Sequence, residues 1–266
     1  MSKDAAFAGS IPEIYDAYLV PLIFEGYAQS LARRMAQARP MHVLETAAGS
    51  GVVTRALAPL LDADARYTVT DLNQAMLDRA TARQPPDARI AWRQADALAL
   101  PFADASFDAV LCEFGAMFFP DRVAGFREAR RVLKPCGVFA FNVWDRIEVN
   151  DFARVVVEAA ARLFPHDTAR FLARTPHGYH DVARIEADLG AAGFKDIDIS
   201  TIAKVSTAPG ARDVAIAYCQ GTPMRGEIEA QGDLDVATDA AAAALAEAFG
   251  GGAISGRIQA HEIVAR

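Results

Sequence analysis

The stretch His42-Val-Leu-Glu-Thr-Ala-Ala-Gly-Ser-Gly-Val-Val-Thr54 constrains the fold more than any other. An apolar run stops in a turn of small residues. Amphipathic spacing then begins at once with Val52, Val53, Leu57, Leu60 and Leu61. That pattern predicts a buried strand, a tight turn and a helix start. Gly49 and Gly51 suit the turn because glycine tolerates positive φ and lets a ligand come close to the backbone. The helix N-terminus offers unpaired N–H groups to a polar ligand.

From His42 onward, strand and helix patterns alternate. Strands are expected at His42–Ala48, Tyr67–Leu72, Ile90–Ala95, Phe107–Glu113 and Val138–Val143. Helices are expected at Val52–Leu61, Gln74–Arg83 and Val123–Leu133, with a turn at Lys134–Gly137. This series implies an α/β fold, a doubly wound and mostly parallel sheet with helices on both faces. A ligand then belongs at the carboxyl ends of the strands. After Trp144 the alternation loosens. Phe152–Leu163 reads as a helix, Phe164–His180 as a loop, and Asp181 as the N-cap of a helix that stops at Gly193. A strand at Ile197–Val205, helices at Val214–Gln220 and Val236–Phe249, and a closing strand at Ile258–Val264 complete the chain. Ile11–Gln37 reads as one or two helices broken by Pro21. The expected division is a helical cover over residues 1–40 and a main domain over 41–266, elaborated around 146–180 and 209–253.

A dinucleotide is the first ligand to weigh. Its fingerprint needs a small residue three positions after Gly51, where Thr54 stands. Glu45, just before the turn, would repel a pyrophosphate and favour a ligand carrying positive charge. Capping of local N–H groups is the bland reading of the same acid. Asp71 ends the second strand, 20 residues after Gly51. There a carboxylate can accept both ribose hydroxyls, although a plain turn acid in Asp71-Leu-Asn73 would look the same. Asp96-Ala97 follows the third strand, where an acid can accept from an adenine amino group.

Together these segments resemble the class I S-adenosylmethionine-dependent methyltransferases, in the small-molecule group of ubiquinone- and menaquinone-biosynthesis-like enzymes. Val43–Gly51 is similar to the family's first motif, and Asp71 with Met76-Leu77 to the second. Asp96-Ala-Leu-Ala-Leu-Pro-Phe-Ala-Asp-Ala-Ser-Phe-Asp-Ala-Val110 is the most specific match, and Arg131–Gly137 resembles the turn before strand five. The resemblance implies seven strands in the order 3-2-1-4-5-7-6, the last antiparallel. It implies S-adenosylmethionine as cofactor, with Glu45, Ala47, Gly49, Ser50 and Gly51 at the methionine end. Asp71 would hold the ribose, Leu72 and Met76 the adenine side, and Asp96 and Ala97 the adenine. Glu113 and Phe114 would face the methionine part and the acceptor. Ala47 departs from the family's first glycine, and its methyl is tolerable if φ there is negative.

Tyr15, Tyr18, Met117 and Phe118 are the candidate lid and acceptor-wall residues, since pockets are mostly apolar and lids carry separate apolar segments. Core packing is the plain alternative for each. Methyl transfer needs no nucleophile–base pair, because the acceptor attacks directly and orientation supplies much of the rate. If a base is used, Glu113, His177 and His180 are the candidates. His177-Gly-Tyr-His180 lacks further ligands at zinc spacing, so no metal is expected. A net charge of −7 without a basic stripe argues against nucleic acid. Three scattered cysteines, no apolar signal region and no run long enough for a bilayer point to the cytoplasm. The expected activity is methyl transfer to a small molecule, with a homodimer left open. The alternative is a non-catalytic S-adenosylmethionine-binding protein on the same fold.

Overall fold

The computed structural model describes residue 7, residues 9–164 and residues 171–266. It opens with α1 (Ile11–Ile14), continues through a π-helical stretch (Tyr15–Phe24) and then α2 (Glu25–Ala36). Pro21 lies inside the π-helical stretch and does not end the helix. A proline removes one N–H and crowds the carbonyl four residues back. A widened turn accommodates both defects without a break.

The alternating region follows as β1 (His42–Glu45), α3 (Val52–Leu57), β2 (Arg66–Asp71), α4 (Gln74–Arg83), β3 (Ile90–Gln94), β4 (Phe107–Glu113), α5 (Arg122–Val132) and β5 (Leu133–Trp144). Then come α6 (Asp151–Leu163), α7 (Phe171–Arg174), α8 (Val182–Ala191), β6 (Ile197–Ala208), α9 (Ala211–Gln220), α10 (Met224–Glu229), α11 (Leu234–Phe249) and β7 (Ile254–Ala265). The seven strands are ordered β3-β2-β1-β4-β5-β7-β6, mostly parallel with β7 antiparallel, as the family likeness implied. Pairings β1–β2, β1–β4, β2–β3 and β4–β5 are parallel.

Two further sequence expectations change. Lys134–Gly137 is not a turn before a separate strand: β5 already runs from Leu133. The extra length is taken up by a register shift between Phe107 and Ala109 and by Cys136 at φ 65°. A bulge of this kind lets one strand carry more residues than its partner. The expected loop over Phe164–His180 contains α7, and its residues 165–170 lie outside the described residues.

By contacts the chain divides into two units. One holds residues 1–24, 144–179 and 202–260, the other residues 25–143, 180–201 and 261–266. The expected cover of residues 1–40 is thus divided between Phe24 and Glu25. In the first unit α11 packs on α9 and α6. In the second, α2 packs on α3. Val43, Tyr67, Val69, Ala109, Leu111, Val138 and Ala140 form one buried cluster with Leu31, Met35, Val53 and Leu57 from those two helices. The strand residues in it are spaced by two, as one face of a pleated sheet requires. Glu45 pairs in register with Leu111, Cys112 with Phe141 and Glu113 with Asn142. Glu45, Glu113 and Asn142 therefore belong to this same face, at its carboxyl end.

Candidate functional site

All the residues expected to hold the cofactor lie in the second unit. The turn after β1 is built from left-handed backbone: Ala47 at φ 51°, Gly49 at 55° and Gly51 at 79°. A Cβ on Gly51 would stand 3.0 Å from the Cβ of Ala80, so α4 also needs this glycine. Ala47 does not meet the condition of negative φ. Its methyl instead faces Gly115, where an added Cβ would stand 2.4 Å from the Ala47 Cβ and 2.8 Å from Cys112 Sγ. The methyl missing from the usual sequence pattern at 47 is accommodated by a glycine 68 positions later, a pairing the sequence alone does not reveal.

Asp71 ties two segments together. Its Oδ2 accepts from the Gly49 N–H at 2.8 Å and its Oδ1 from the Asn73 N–H at 2.7 Å. Burial raises its pKa, and these backbone bonds work against the rise. The carboxylate is held where the glycine turn and the end of β2 meet, with lone pairs left for a ligand. Ser50 is buried beside it, and its Oγ has no hydrogen-bond partner.

Leu72 is 38% exposed, while Met76 is buried. The Asp96 carboxylate is exposed and caps its own loop, accepting from the Leu98 N–H at 2.9 Å. Ala97 is partly buried. The loop beyond is pinned from α5. Arg131 donates to Leu100 O at 2.9 Å, to Phe102 O at 2.7 Å and to Asp104 at 2.7 Å, and it pairs with Glu128. Glu128 in turn accepts from the Leu100 N–H at 2.8 Å. In sequence Arg131 reads as one of several solvated helix cations. Only the fold shows that it orients the chain leaving Asp96.

Glu45 points inward. Thr54 donates to its Oε2 at 2.7 Å and the Tyr67 hydroxyl donates to the same oxygen. Burial pushes its pKa up to about 7, against the pull of these two bonds and of Arg55. Glu113 is half-buried as a residue, and its Oε1 is sealed off without a partner. Burial, and then the charge of Glu45, hold its carboxyl well above the usual range. Phe114 follows at φ 50° and packs edge-on against Tyr27, 5.5 Å between centroids. Met117 is buried and Phe118 half-buried in a short 3-10 turn, Ala116–Phe118. The carbonyl of His180 accepts from His261 Nε2 at 3.1 Å.

Three other candidates fall in the first unit. Tyr15 stacks on Phe24 at 5.2 Å, and Tyr18 is exposed. His177 is buried and donates from Nδ1 to Asp145 O at 2.8 Å.

The second unit fits S-adenosylmethionine on its own geometry. An unpaired buried hydroxyl stands in the glycine turn, an anchored carboxylate ends β2, an exposed leucine follows it, and a solvent-facing acid follows β3. Comparison with known proteins agrees. Residues 44–141 match a family model described as a methyltransferase domain. A demethylmenaquinone methyltransferase of Lactobacillus johnsonii is 30% identical over 185 residues, 65% of this chain and 74% of that protein. Another of that name, from Mycolicibacterium vanbaalenii, is 34% identical over 58% of this chain and 68% of that protein. Among solved structures, the fold is shared with phosphoethanolamine N-methyltransferase 2 of Haemonchus contortus in complex with S-adenosyl-L-methionine. The TM-score is 0.62 at 16% identity, over all of this chain and 60% of that one. It is also shared with the YcgJ protein of Bacillus subtilis, with a TM-score of 0.57 at 20% identity over 90% and 97%.

With this sheet and turn, the family model and these relatives place the chain among the S-adenosylmethionine-dependent transferases. The chain belongs to the class I S-adenosylmethionine-dependent methyltransferases. It transfers a methyl group from that cofactor to a small-molecule acceptor. Among the described residues no helix is long and apolar enough to cross a membrane.

Proposed function

We propose that the acceptor is a hydroxyaromatic compound, of the phenol or quinol type, and that the cofactor is held by Glu45, Ala47, Gly49, Ser50, Gly51, Asp71, Leu72, Met76, Asp96 and Ala97. The relatives named as demethylmenaquinone methyltransferases support the acceptor class. The apolar, partly buried run Phe114–Phe118 supports it too, since a flat ring needs apolar walls. S-adenosylmethionine supplies a methyl on a cationic sulfur that leaves as a neutral thioether.

The protein's own contribution is binding and orientation. Asp71 accepts from the ribose hydroxyls while the Gly49 and Asn73 N–H groups keep it in place. Asp96 accepts from the adenine amino group, and Leu72 lies against the ring. The Ser50 hydroxyl answers the charged amino-acid end. Glu45 lies beneath the turn and shapes it from there, since its Oε2 is already engaged by Thr54 and Tyr67. The observation that carries this reading is the doubly anchored Asp71 carboxylate.

The test is release of S-adenosylhomocysteine across naphthols, hydroquinones, amines and carboxylates. Turnover confined to the hydroxyaromatics is the expected result, and turnover confined to amines or carboxylates would replace the acceptor class. The reading includes a cytoplasmic location, which the three free cysteines support, and a homodimer, which light scattering would register as twice the chain mass.

A further inference from the structure

Two polar side chains stand at the carboxyl ends of β4 and β5 with buried atoms that have nothing to bond. Asn142 is 0% exposed, and neither its Nδ2 nor its Oδ1 has a hydrogen-bond partner. Glu113, its register partner on β4, has a sealed and unpartnered Oε1. Register partners on parallel strands share a face and sit about 4.8 Å apart. One patch therefore carries two amide donors, an amide acceptor and a carboxyl oxygen, all idle. Leaving a single such group unsatisfied costs roughly 1–3 kcal/mol. Natural cores retain such groups where something else completes them.

We propose that Glu113 and Asn142 form a subsite for a neutral oxygen group of the methyl acceptor, a hydroxyl or a ring carbonyl. This deepens the hydroxyaromatic reading above and rests on it. The pair is chosen over the cofactor's methionine end on grounds of charge. That end carries an ammonium and a carboxylate. Glu113 shares its sheet face with Glu45, and burial, then the charge of that neighbour, raise its pKa well above the usual carboxylate range. A carboxyl whose ionisation burial opposes, beside a neutral amide, is poorly suited to balance a buried ion. It is well matched to a group that both donates and accepts, as a phenol does. Phe114, next in the chain, adds a buried aromatic neighbour.

The test uses the full chain loaded with S-adenosylhomocysteine, and naphthol with its oxygen-free parent naphthalene as probes. Wild type should bind naphthol more tightly than naphthalene. Asn142→Leu, which keeps the shape, should weaken naphthol about tenfold, as loss of two neutral hydrogen bonds implies, and leave naphthalene unchanged. Glu113→Leu should do the same. Glu113→Gln retains a neutral donor and acceptor and should stay within about threefold of wild type. S-adenosylhomocysteine affinity should hold in all three, which also shows that they fold. The unfolding midpoint of unliganded Asn142→Leu should rise, because an unpaired buried amide is gone.

Four results would overturn the subsite alone. Loss of S-adenosylhomocysteine affinity would assign the pair to the cofactor. Unchanged naphthol binding in Asn142→Leu would make it a plain buried pair. Loss in Glu113→Gln as large as in Glu113→Leu would mean that a carboxylate is required. A fall in the unfolding midpoint would mark the amide as structural. Failure of wild type to distinguish naphthol from naphthalene would instead remove the hydroxyaromatic reading, and the subsite with it.

Discussion

The carboxylates at the β2–β3 ends of the sheet and the polar side chains at the β4–β5 ends are satisfied in opposite ways. At β2 and β3, each carboxylate is pinned by backbone N–H groups: Asp71 by Asn73 and by Gly49 of the glycine turn 22 residues earlier, Asp96 by Leu98. These acids are satisfied before any ligand arrives, and they keep spare lone pairs. At β4 and β5, Glu113 and Asn142 present unpaired atoms in a buried setting. A satisfied, pre-positioned group suits a ligand that is the same in every turnover. An unsatisfied one stores a cost that only the right ligand removes. The contrast assigns the first half to a constant cofactor and the second to a selected acceptor.

Backbone strain joins the two halves, and the largest expected effect lies there. Ala47 holds positive φ, and its methyl fits only because residue 115 has no Cβ. Gly115→Ala should destabilise the fold by about 2–3 kcal/mol, the range for overpacking a tight core. Adding Ala47→Gly should recover most of that loss, since the contact is with the Ala47 methyl and a glycine also relieves the left-handed backbone. Denaturant unfolding of the single and double variants measures this directly. No recovery in the double variant would place the clash with Cys112 alone.

Glu45 supplies the next effect, and it depends on pH. Its folded pKa is raised from 4.5 to about 7, so the folded state holds the proton to higher pH than the unfolded chain does. Stability from this group is greatest below pH 4.5, falls as pH rises to about 7, and is level above that. The fall amounts to roughly 3 kcal/mol at most. Relative to wild type, Glu45→Gln should gain stability steadily over that window. Parallel pH profiles for the two proteins would mean that Glu45 is ionised throughout.

A smaller effect belongs to the adenine end. Asp96→Asn replaces an acceptor with an amide of the same shape. It should weaken S-adenosylmethionine and S-adenosylhomocysteine equally, by about 1 kcal/mol, because both carry the same base. Calorimetry with both ligands reads it. Loss confined to the sulfonium form would move Asp96 to the sulfur.

What the sequence made legible follows from the range of the interactions. Helix α4 and strand β4 fall on Gln74–Arg83 and Phe107–Glu113, the bounds their periodicity predicts. Asp71 and Asp96 are legible as strand-end acids because each accepts from an N–H two residues on, Asn73 and Leu98; the second anchor of Asp71, Gly49, lies 22 residues back. Asn142 was invisible. Nothing in Phe141-Asn-Val143 marks it, and its meaning depends on the register that sets it beside Glu113. Arg131 and Gly115 were hidden in the same way, since each acts on residues far off in sequence. Pro21 misled because a proline is read as a break, while a π-helical stretch absorbs it.

The division of the site is tested most directly by titrating S-adenosylhomocysteine into wild type, Asp71→Ala and Asn142→Leu. Asp71→Ala should lose about 1.5–3 kcal/mol of affinity, the worth of hydrogen bonds to a charged group, while Asn142→Leu binds as wild type does. Undiminished binding by a folded Asp71→Ala would contradict the placement of the cofactor at the ends of β1–β3.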